Sequence, residues 1–471
     1  MTDLAFAPAH QVAALVRQRE VSPLEVVDGA LARIEALNPH VNAFVALRAD
    51  EARAEAQALG ERIVRGEYPG PLAGVPFGVK DLEDIAGLAT THGSLPFRGN
   101  IAKHDSTQVA RLKRAGAIPL GKTNTPEFGA TAFTKNLVFG TTRNPWNLER
   151  TPGGSSGGSS AALAAGMVPL ATASDGGGSI RIPAAYVGAF GLKPTFGRVP
   201  RGPFEWHGWI DTAVYGPLTR CVQDAALFLD AVVGRDARDP DSLPHPGHRF
   251  QDGLDDLPKG LRIAYSPTLG YARVDRDVRR EVEAGVALLG QLLGQPVDLL
   301  PDRLTDAGAA WAFLNAFETY AHLAPILEKH REQWGRGFLR GVEAGTRFGA
   351  ADIGDFQRTR IALLNEVASV FDRFDLLLTP TLPTTAFPAP GPMPSGADGE
   401  PFASPIHAVA FTYPFNLTGH PACTLRAGLG DDGMPVGLQV VAERGQEHLL
   451  LKVARAWERV RPFEPWPKVP T

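Results

Sequence analysis

The sequence predicts a single large α/β domain. Three observations lead there. Helix-period and strand-like segments alternate over most of the length, no clear boundary divides them, and 44 % hydrophobic against 21 % charged residues is an ordinary globular composition. At 471 residues the length alone is that of about two or three domains, yet large α/β enzymes reach it as one unit.

Taken in order, Ser22, Pro23 and Glu25 read as helix cap, first-turn proline and capping-box acid. Val26, Val27, Ala30, Leu31, Ile34 and Leu37 then fall on one helical face. Residues 48–65, rich in Ala, Glu and Arg, predict a second helix. Both belong to an expected helical cover, residues 1–66, that carries no chemistry. Residues 75–80 (VPFGVK) read as a short buried strand ending on Lys80. Asp105 or Ser106 starts a helix that runs through Val109, Leu112 and Lys113 and stops at Gly116; residues 117–122 read as a strand. After Thr212 the alternation resumes, with a helix at 222–233, a strand at 261–265, a helix at 278–293 and a long helical region from 306 to about 334. A helix at 361–371 feeds a buried strand at 375–379. Residues 380–405 hold eight prolines and allow two readings, a linker or a long ordered loop lining a pocket. Strands at 422–429 and 436–441 and a helix at 448–460 close the chain. No repeat of about 20 to 50 residues is present.

A net charge of −4 gives no reason to expect nucleic acid or an anionic membrane as partner. Cys221 and Cys423 cannot build a disulfide framework, and no Cys/His spacing matches a zinc site, so neither metal nor cofactor is expected. The N-terminus lacks a basic start followed by an apolar stretch and a small-residue cleavage site. No uninterrupted apolar run of about 18 residues exists. A cytoplasmic location is the expectation. Only 10 of the 47 basic residues are lysine, so a lysine in an apolar setting draws notice.

The stretch 151–183, TPGGSSGGSSAALAAGMVPLATASDGGGSIRIP, holds two serine clusters wrapped in glycine. GGSSGGSS alone would pass for a flexible linker, but the apolar small-residue segment after it suits a buried helix and strand. Two motif matches nearby point elsewhere. Gly116 to Thr123 fits GxxxxGK[ST], the phosphate-binding loop. The order there is helix, then strand, and Pro119 removes an N–H donor, so the physics of that loop is missing. Gly154 to Gly158 fits GxSxG, which would make Ser156 a nucleophile with His420 or His448 downstream. The preceding TRNPWNLERTPG is turn-rich rather than a strand, and the motif leaves Lys80 and DGGGSIR unexplained.

A third arrangement uses all the features. A serine hydroxyl needs a base within hydrogen-bond reach, and lysine can serve only when neutral, a form that apolar burial favours. Lys80, after VPFGV, is placed for that. Ser179 follows glycines whose N–H groups can face an oxyanion, and Ser155 can relay a proton between Lys80 and Ser179.

GVPFGVKD, GKTNTPEF, TPGGSSGGS, SDGGGSIRIPAA and GLKPTFGRVPR together resemble the amidase signature family of serine hydrolases. The likeness is densest over a catalytic core at 71–201. Weaker echoes are GPLTR, LLLTPTLP, FNLTGHPA and MPVGLQVVA, so it reaches over most of a single domain, 1–471. The resemblance implies a mixed twisted sheet covered by helices on both faces, and a Ser–cisSer–Lys triad. Matched by motif, Ser179 would be the acyl-forming nucleophile, Ser155 the bridging serine after a cis peptide bond, and Lys80 the base and later proton donor. The N–H groups of Gly176, Gly177, Gly178 and Ser179 would form the oxyanion hole. Ser156, Asp175 and Arg181 read as supports holding the serine loops together. The resemblance sets the acyl-binding wall near Phe128, Gly129, Ala130 and Thr131; Trp206 and Trp209 would add aromatic surface or merely pack.

The expected function is hydrolysis of the C–N bond of small alkyl or aryl amides through a seryl acyl-enzyme. The alternatives are the glutamine-hydrolysing A subunit of a tRNA-dependent amidotransferase and, from another class, a P-loop nucleotide-binding protein centred on Lys122. Expected partners are a small amide substrate and, at most, a second copy of the chain in a homodimer.

Overall fold

The computed structural model describes residues 4–203, 209, 211–301 and 303–469. Thirteen α-helices and fifteen strands are found among them. The N-terminal half runs α1 (Ala9–Gln18), α2 (Pro23–Val41), β1 (Phe44–Leu47), α3 (Ala49–Val64), β2 (Pro76–Lys80), α4 (Thr107–Arg114), β3 (Ile118–Thr123), the short pair β4 (Lys135–Asn136) and β5 (Gly140–Thr141), α5 (Gly157–Ala164), β6 (Leu170–Asp175), α6 (Arg181–Val187), β7 (Phe190–Lys193), β8 (Val214–Thr219) and α7 (Val222–Val232). The rest runs β9 (Ile263–Tyr265), α8 (Arg276–Leu293), β10 (Val297–Leu299), α9 (Gly308–Leu327), α10 (Arg336–Ala344), α11 (Ala350–Arg373), β11 (Leu376–Pro380), the pair β12 (Gly396–Ala397) and β13 (Glu400–Pro401), α12 (Pro414–Leu417), β14 (Ala422–Leu429), β15 (Pro435–Ala442) and α13 (Glu447–Val460).

Eleven strands form one mixed sheet in the order β1-β3-β2-β6-β8-β7-β14-β15-β11-β9-β10. β2 lies between β3 and β6 and is parallel to both, with Lys80 opposite Thr123 and Gly78 opposite Ala171. The carboxyl ends of β2 and β6 therefore emerge side by side, the usual place for a site in an α/β sheet. The strands between these ends and β11 are antiparallel. β2, β3, β6 and β15 are buried along their whole length, which explains their near-continuous apolar sequence. No helix among the described residues is long and apolar enough to cross a membrane.

The capping box of α2 is present: Ser22 Oγ accepts from the Glu25 N–H, and Glu25 accepts from the Ser22 N–H at 2.8 Å. Several boundaries differ from the sequence expectation. α11 begins at Ala350, where Asp352 accepts from the Gly349 N–H at 2.7 Å; its first turns face solvent with only Phe356 buried, so no apolar stripe marks them. The helix expected to reach residue 334 stops at Leu327, and the Trp334 indole caps it by donating to the Leu327 carbonyl at 2.9 Å. The proline-rich segment is a loop pinned to the domain, with Pro388 bridged to Arg150 and the Phe387 ring 5.9 Å from both Phe133 and Tyr186.

Candidate active site

Lys80 is the last residue of β2 and is 0 % exposed. Its N–H donates to Thr172 Oγ1 on β6, which ties the two strand ends together. Its Nζ lies 2.8 Å from Ser155 Oγ and 2.9 Å from Ser174 Oγ. Burial draws the ammonium down to about 7, against the opposing pull of the Glu83 and Asp175 charges. A lysine there is substantially neutral at neutral pH.

Ser155 sits in the irregular segment before α5, after a cis peptide bond from Gly154. That segment is held against the end of β3. Thr125 Oγ1 donates to the Ser155 carbonyl at 2.9 Å and the Gly158 N–H donates to the Asn124 carbonyl at 3.0 Å. Gly158 must be glycine, since a Cβ there would stand 2.2 Å from the Asn124 nitrogen. Ser159 Oγ donates to the Thr172 carbonyl at 2.9 Å. The serines of the first cluster thus knit three strand ends together.

Ser179 lies in the turn between β6 and α6. Asp175, the last residue of β6, organises that turn: Oδ1 accepts from the Gly178 N–H at 2.7 Å and Oδ2 from the Ile180 N–H at 3.1 Å. Arg181 pairs with Asp175 at 2.9 Å, both side chains being 0 % exposed. Burial alone would raise the Asp175 carboxyl, but the Arg181 guanidinium overrides it and holds the group at about 2. Arg181 also donates to the Thr412 carbonyl, Gln439 Oε1 and Asn416 Oδ1 at 2.7–2.9 Å. One guanidinium thereby joins the Ser179 turn to elements more than 230 residues away.

The expectation that Gly178 supplies an oxyanion donor is corrected here, because its N–H is committed to Asp175. The N–H groups of Gly176, Gly177 and Ser179 have no intramolecular acceptor among the described residues.

Two cavities of about 290 Å³ meet at Ser179. Phe128, Gly129, Ser179 and Trp209 border both. The first is polar, with Ser155, Ser174, Gly176, Glu83, Asp84 and Arg201 in its wall. Burial lifts the Glu83 carboxyl to about 7 and lowers the His92 imidazole to about 3, so His92 is neutral. The second holds Gly177, Trp311, Phe338, Val342, Met393 and Ile406 and has no charged residue among its described lining. Ala130 and Thr131 line this apolar chamber, as do Phe128 and Gly129. Trp209 stands 5.4 Å from Trp311, ring to ring. Trp206 lies outside the described residues.

The two misleading motifs resolve on geometry. Gly116 to Thr123 is a turn followed by β3, and Lys122 is buried, donating to the Glu83 carbonyl and to Thr90 Oγ1. Ser156 is 0 % exposed and turns toward the Ser174 carbonyl, while His420 contacts Thr418 and Glu443 and His448 contacts the Asp252 carbonyl. Sequence reasoning missed Ser174, Trp311, Thr412, Asn416 and Gln439. Ser174 adjoins the DGGGS motif and was within reach; the others lie far along the chain with no local signal. One set of side chains among the described residues is close enough to share a metal ion, His10, Cys221 and Asp224. Asp224 there accepts from the N–H groups of Ala9 and His10 and serves as the cap of α1, and none of the three lines either chamber.

The amidase family profile matches residues 25–451. The chain belongs to the amidase signature family. It is accordingly an amide-hydrolysing enzyme. It is 36 % identical over 465 residues to an acylamidase of Rhodococcus erythropolis, covering 98 % of this chain and 97 % of the relative. It is 38 % identical over 497 residues to the A subunit of the glutamyl-tRNA(Gln) amidotransferase of Acidothermus cellulolyticus, covering 97 % and 95 %. The solved structure of a bacterial aryl acylamidase superposes with a TM-score of 0.91 at 33 % identity, covering 97 % of this chain and 96 % of that one.

Proposed function

We propose that the chain hydrolyses simple carboxamides by a seryl acyl-enzyme, with Ser179 as nucleophile, Ser155 as relay and Lys80 as base. The observation that carries this is the buried Lys80 amine, drawn to about 7 and set 2.8 Å from Ser155 Oγ in the chamber that Ser179 also lines. Neutral Lys80 takes the Ser155 proton as Ser155 takes that of Ser179, and Ser179 Oγ adds to the amide carbonyl. The carbonyl oxygen becomes an anion facing the N–H groups of Gly176, Gly177 and Ser179. As the C–N bond breaks, Ser155 gives its proton to the leaving nitrogen and is refilled from the Lys80 ammonium. Water then attacks the ester by the same route and releases the acid.

The chambers support an orientation. Ser155 borders only the polar one, so the nitrogen that it protonates lies there, and the acyl group occupies the apolar one. A cavity of about 290 Å³ suits a single aromatic ring or a short alkyl chain. The reading as a glutamine-hydrolysing component of an amidotransferase draws support from the 38 % identity to such a protein. The described apolar lining argues against it, since glutamine's acyl side carries an ammonium and a carboxylate, and burying either without a partner is costly. The purified chain, assayed alone against a panel of alkyl and aryl amides and L-glutamine, tests the reading. Turnover of simple amides that Ser179→Ala abolishes supports it; hydrolysis of glutamine alone overturns it in favour of the amidotransferase reading.

A further inference from the structure

The turn that carries Ser179 begins with three successive peptide units, and each of their carbonyls is held from outside. Asn416 Nδ2 donates to the Asp175 carbonyl at 2.8 Å. Trp311 Nε1 donates to the Gly176 carbonyl at 2.9 Å, and Thr412 Oγ1 to the Gly177 carbonyl at 2.6 Å. In a trans peptide the C=O and the following N–H point to opposite sides of one rigid plane. Fixing these three carbonyls therefore fixes where the N–H groups of Gly176, Gly177 and Gly178 point. The Gly178 N–H ends on Asp175. Those of Gly176 and Gly177 have no acceptor among the described residues, and the two glycines border the cavities on either side of Ser179.

We propose that Asn416 and Trp311 are positioning residues of the oxyanion hole, aiming the Gly176 and Gly177 donors respectively from behind their peptide planes. This rests on the seryl reading above and adds to it two residues from outside the signature stretch.

Trp311 is the more informative of the two. Asn416 also binds Asp175 Oδ1 and Arg181, while Thr412 sets the plane of the Gly178 N–H, which Asp175 takes. The indole N–H of Trp311 has one acceptor among the described residues, the Gly176 carbonyl. Its ring is kept in place by stacking on Tyr413, centroids 5.7 Å apart at 23°, and the Tyr413 hydroxyl is anchored on Asp306 at 2.8 Å. The ring also lies so close to Gly177 that a Cβ there would be 2.1 Å from Cζ2. A tryptophan that only walled the chamber would not need its nitrogen. Phenylalanine keeps the wall and the stacking and removes the N–H.

The test compares Trp311→Phe, and the same position carrying 3-benzothienylalanine, with wild type, using the full chain, an amide that wild type turns over, and a trifluoromethyl ketone bearing the same acyl substituent. The ketone adds Ser179 and places an oxyanion in the hole. Trp311→Phe is expected to lower kcat about 10-fold, below the loss for deleting a donor outright, with KM within about 2-fold. The ketone Ki should rise by the factor by which kcat/KM falls. 3-Benzothienylalanine at position 311, which keeps the two-ring shape of the indole without its N–H, should do the same. A raised KM with unchanged kcat, or a fallen kcat with unchanged ketone affinity, overturns the proposal. Should Trp311→Phe not fold, the shape-conserving benzothienyl replacement decides on the same readouts. Failure of the underlying seryl reading looks different: wild type would form no ketone adduct at Ser179, whatever the variants do.

Discussion

The sharpest consequence of burying Lys80 is a pH profile. An ordinary lysine at 10.5 would be neutral in only about 0.03 % of molecules at pH 7, whereas one drawn to about 7 is neutral in about half, a gain of roughly 1,500-fold in competent base. With chemistry rate-limiting, kcat/KM should rise with a midpoint near pH 7, reach about 9 % of its plateau at pH 6 and about 91 % at pH 8. Glu83 supplies a second handle, because its charge pulls Lys80 upward. Glu83→Gln removes that charge, so the midpoint should move to lower pH. The assay is kcat/KM for one amide from pH 5 to pH 9.5 in constant-ionic-strength buffers, with thermal unfolding followed in parallel. A flat profile across this range, or a midpoint that Glu83→Gln moves upward, would refute the reasoning.

Asp175→Asn leaves the Arg181 guanidinium buried without its countercharge and should cost about 3–5 kcal/mol of stability, with loss of turnover, read by denaturant melts and initial rates. Lys193 is also buried and drawn down to about 7, mainly by desolvation and then by Arg181. Its folded value lies below its unfolded one, so the unfolded chain holds more protons between about pH 7 and 10.5 and stability rises with pH there. Lys193→Met should therefore stabilise more at pH 6 than at pH 10, by roughly 4 kcal/mol, in paired melts. Gly341 lines the apolar chamber in α10 with open space where a Cβ would stand. Gly341→Phe should lower the kcat/KM ratio of 3-phenylpropionamide to acetamide by about 10-fold or more; the same fall for acetanilide instead would show that the leaving group occupies that chamber.

Much of the candidate site was legible because its signals are local. Lys80 ends a run of buried residues, and glycines surround Ser155 and Ser179, since the backbone there must turn tightly or approach another chain segment. The Ser22–Glu25 capping box and the β2, β14 and β15 strands also declared themselves, the first through its cap and the strands through mainly apolar runs. The start of α11 did not, because its first turns face solvent and bury only Phe356. The extent of α9 was overread because Trp334 continues the apolar pattern after the helix has ended. The positions that hold the Ser179 turn were invisible for a different reason. Trp311, Thr412, Asn416 and Gln439 act through bonds spanning more than 130 residues, and nothing in their own neighbourhoods marks them. Gly178 was misassigned because a glycine run gives no sign of which N–H an aspartate three residues earlier will take.

The central claim is that Ser179, and not the more conspicuous Ser155 or Ser156, carries the acyl group. Reaction of the intact chain with a fluorophosphonate, followed by peptide mass spectrometry, tests it most directly. One adduct per chain on Ser179, slowed together with turnover in Lys80→Ala, is the predicted result. An adduct on Ser156, or labelling that persists in Ser179→Ala, would contradict it.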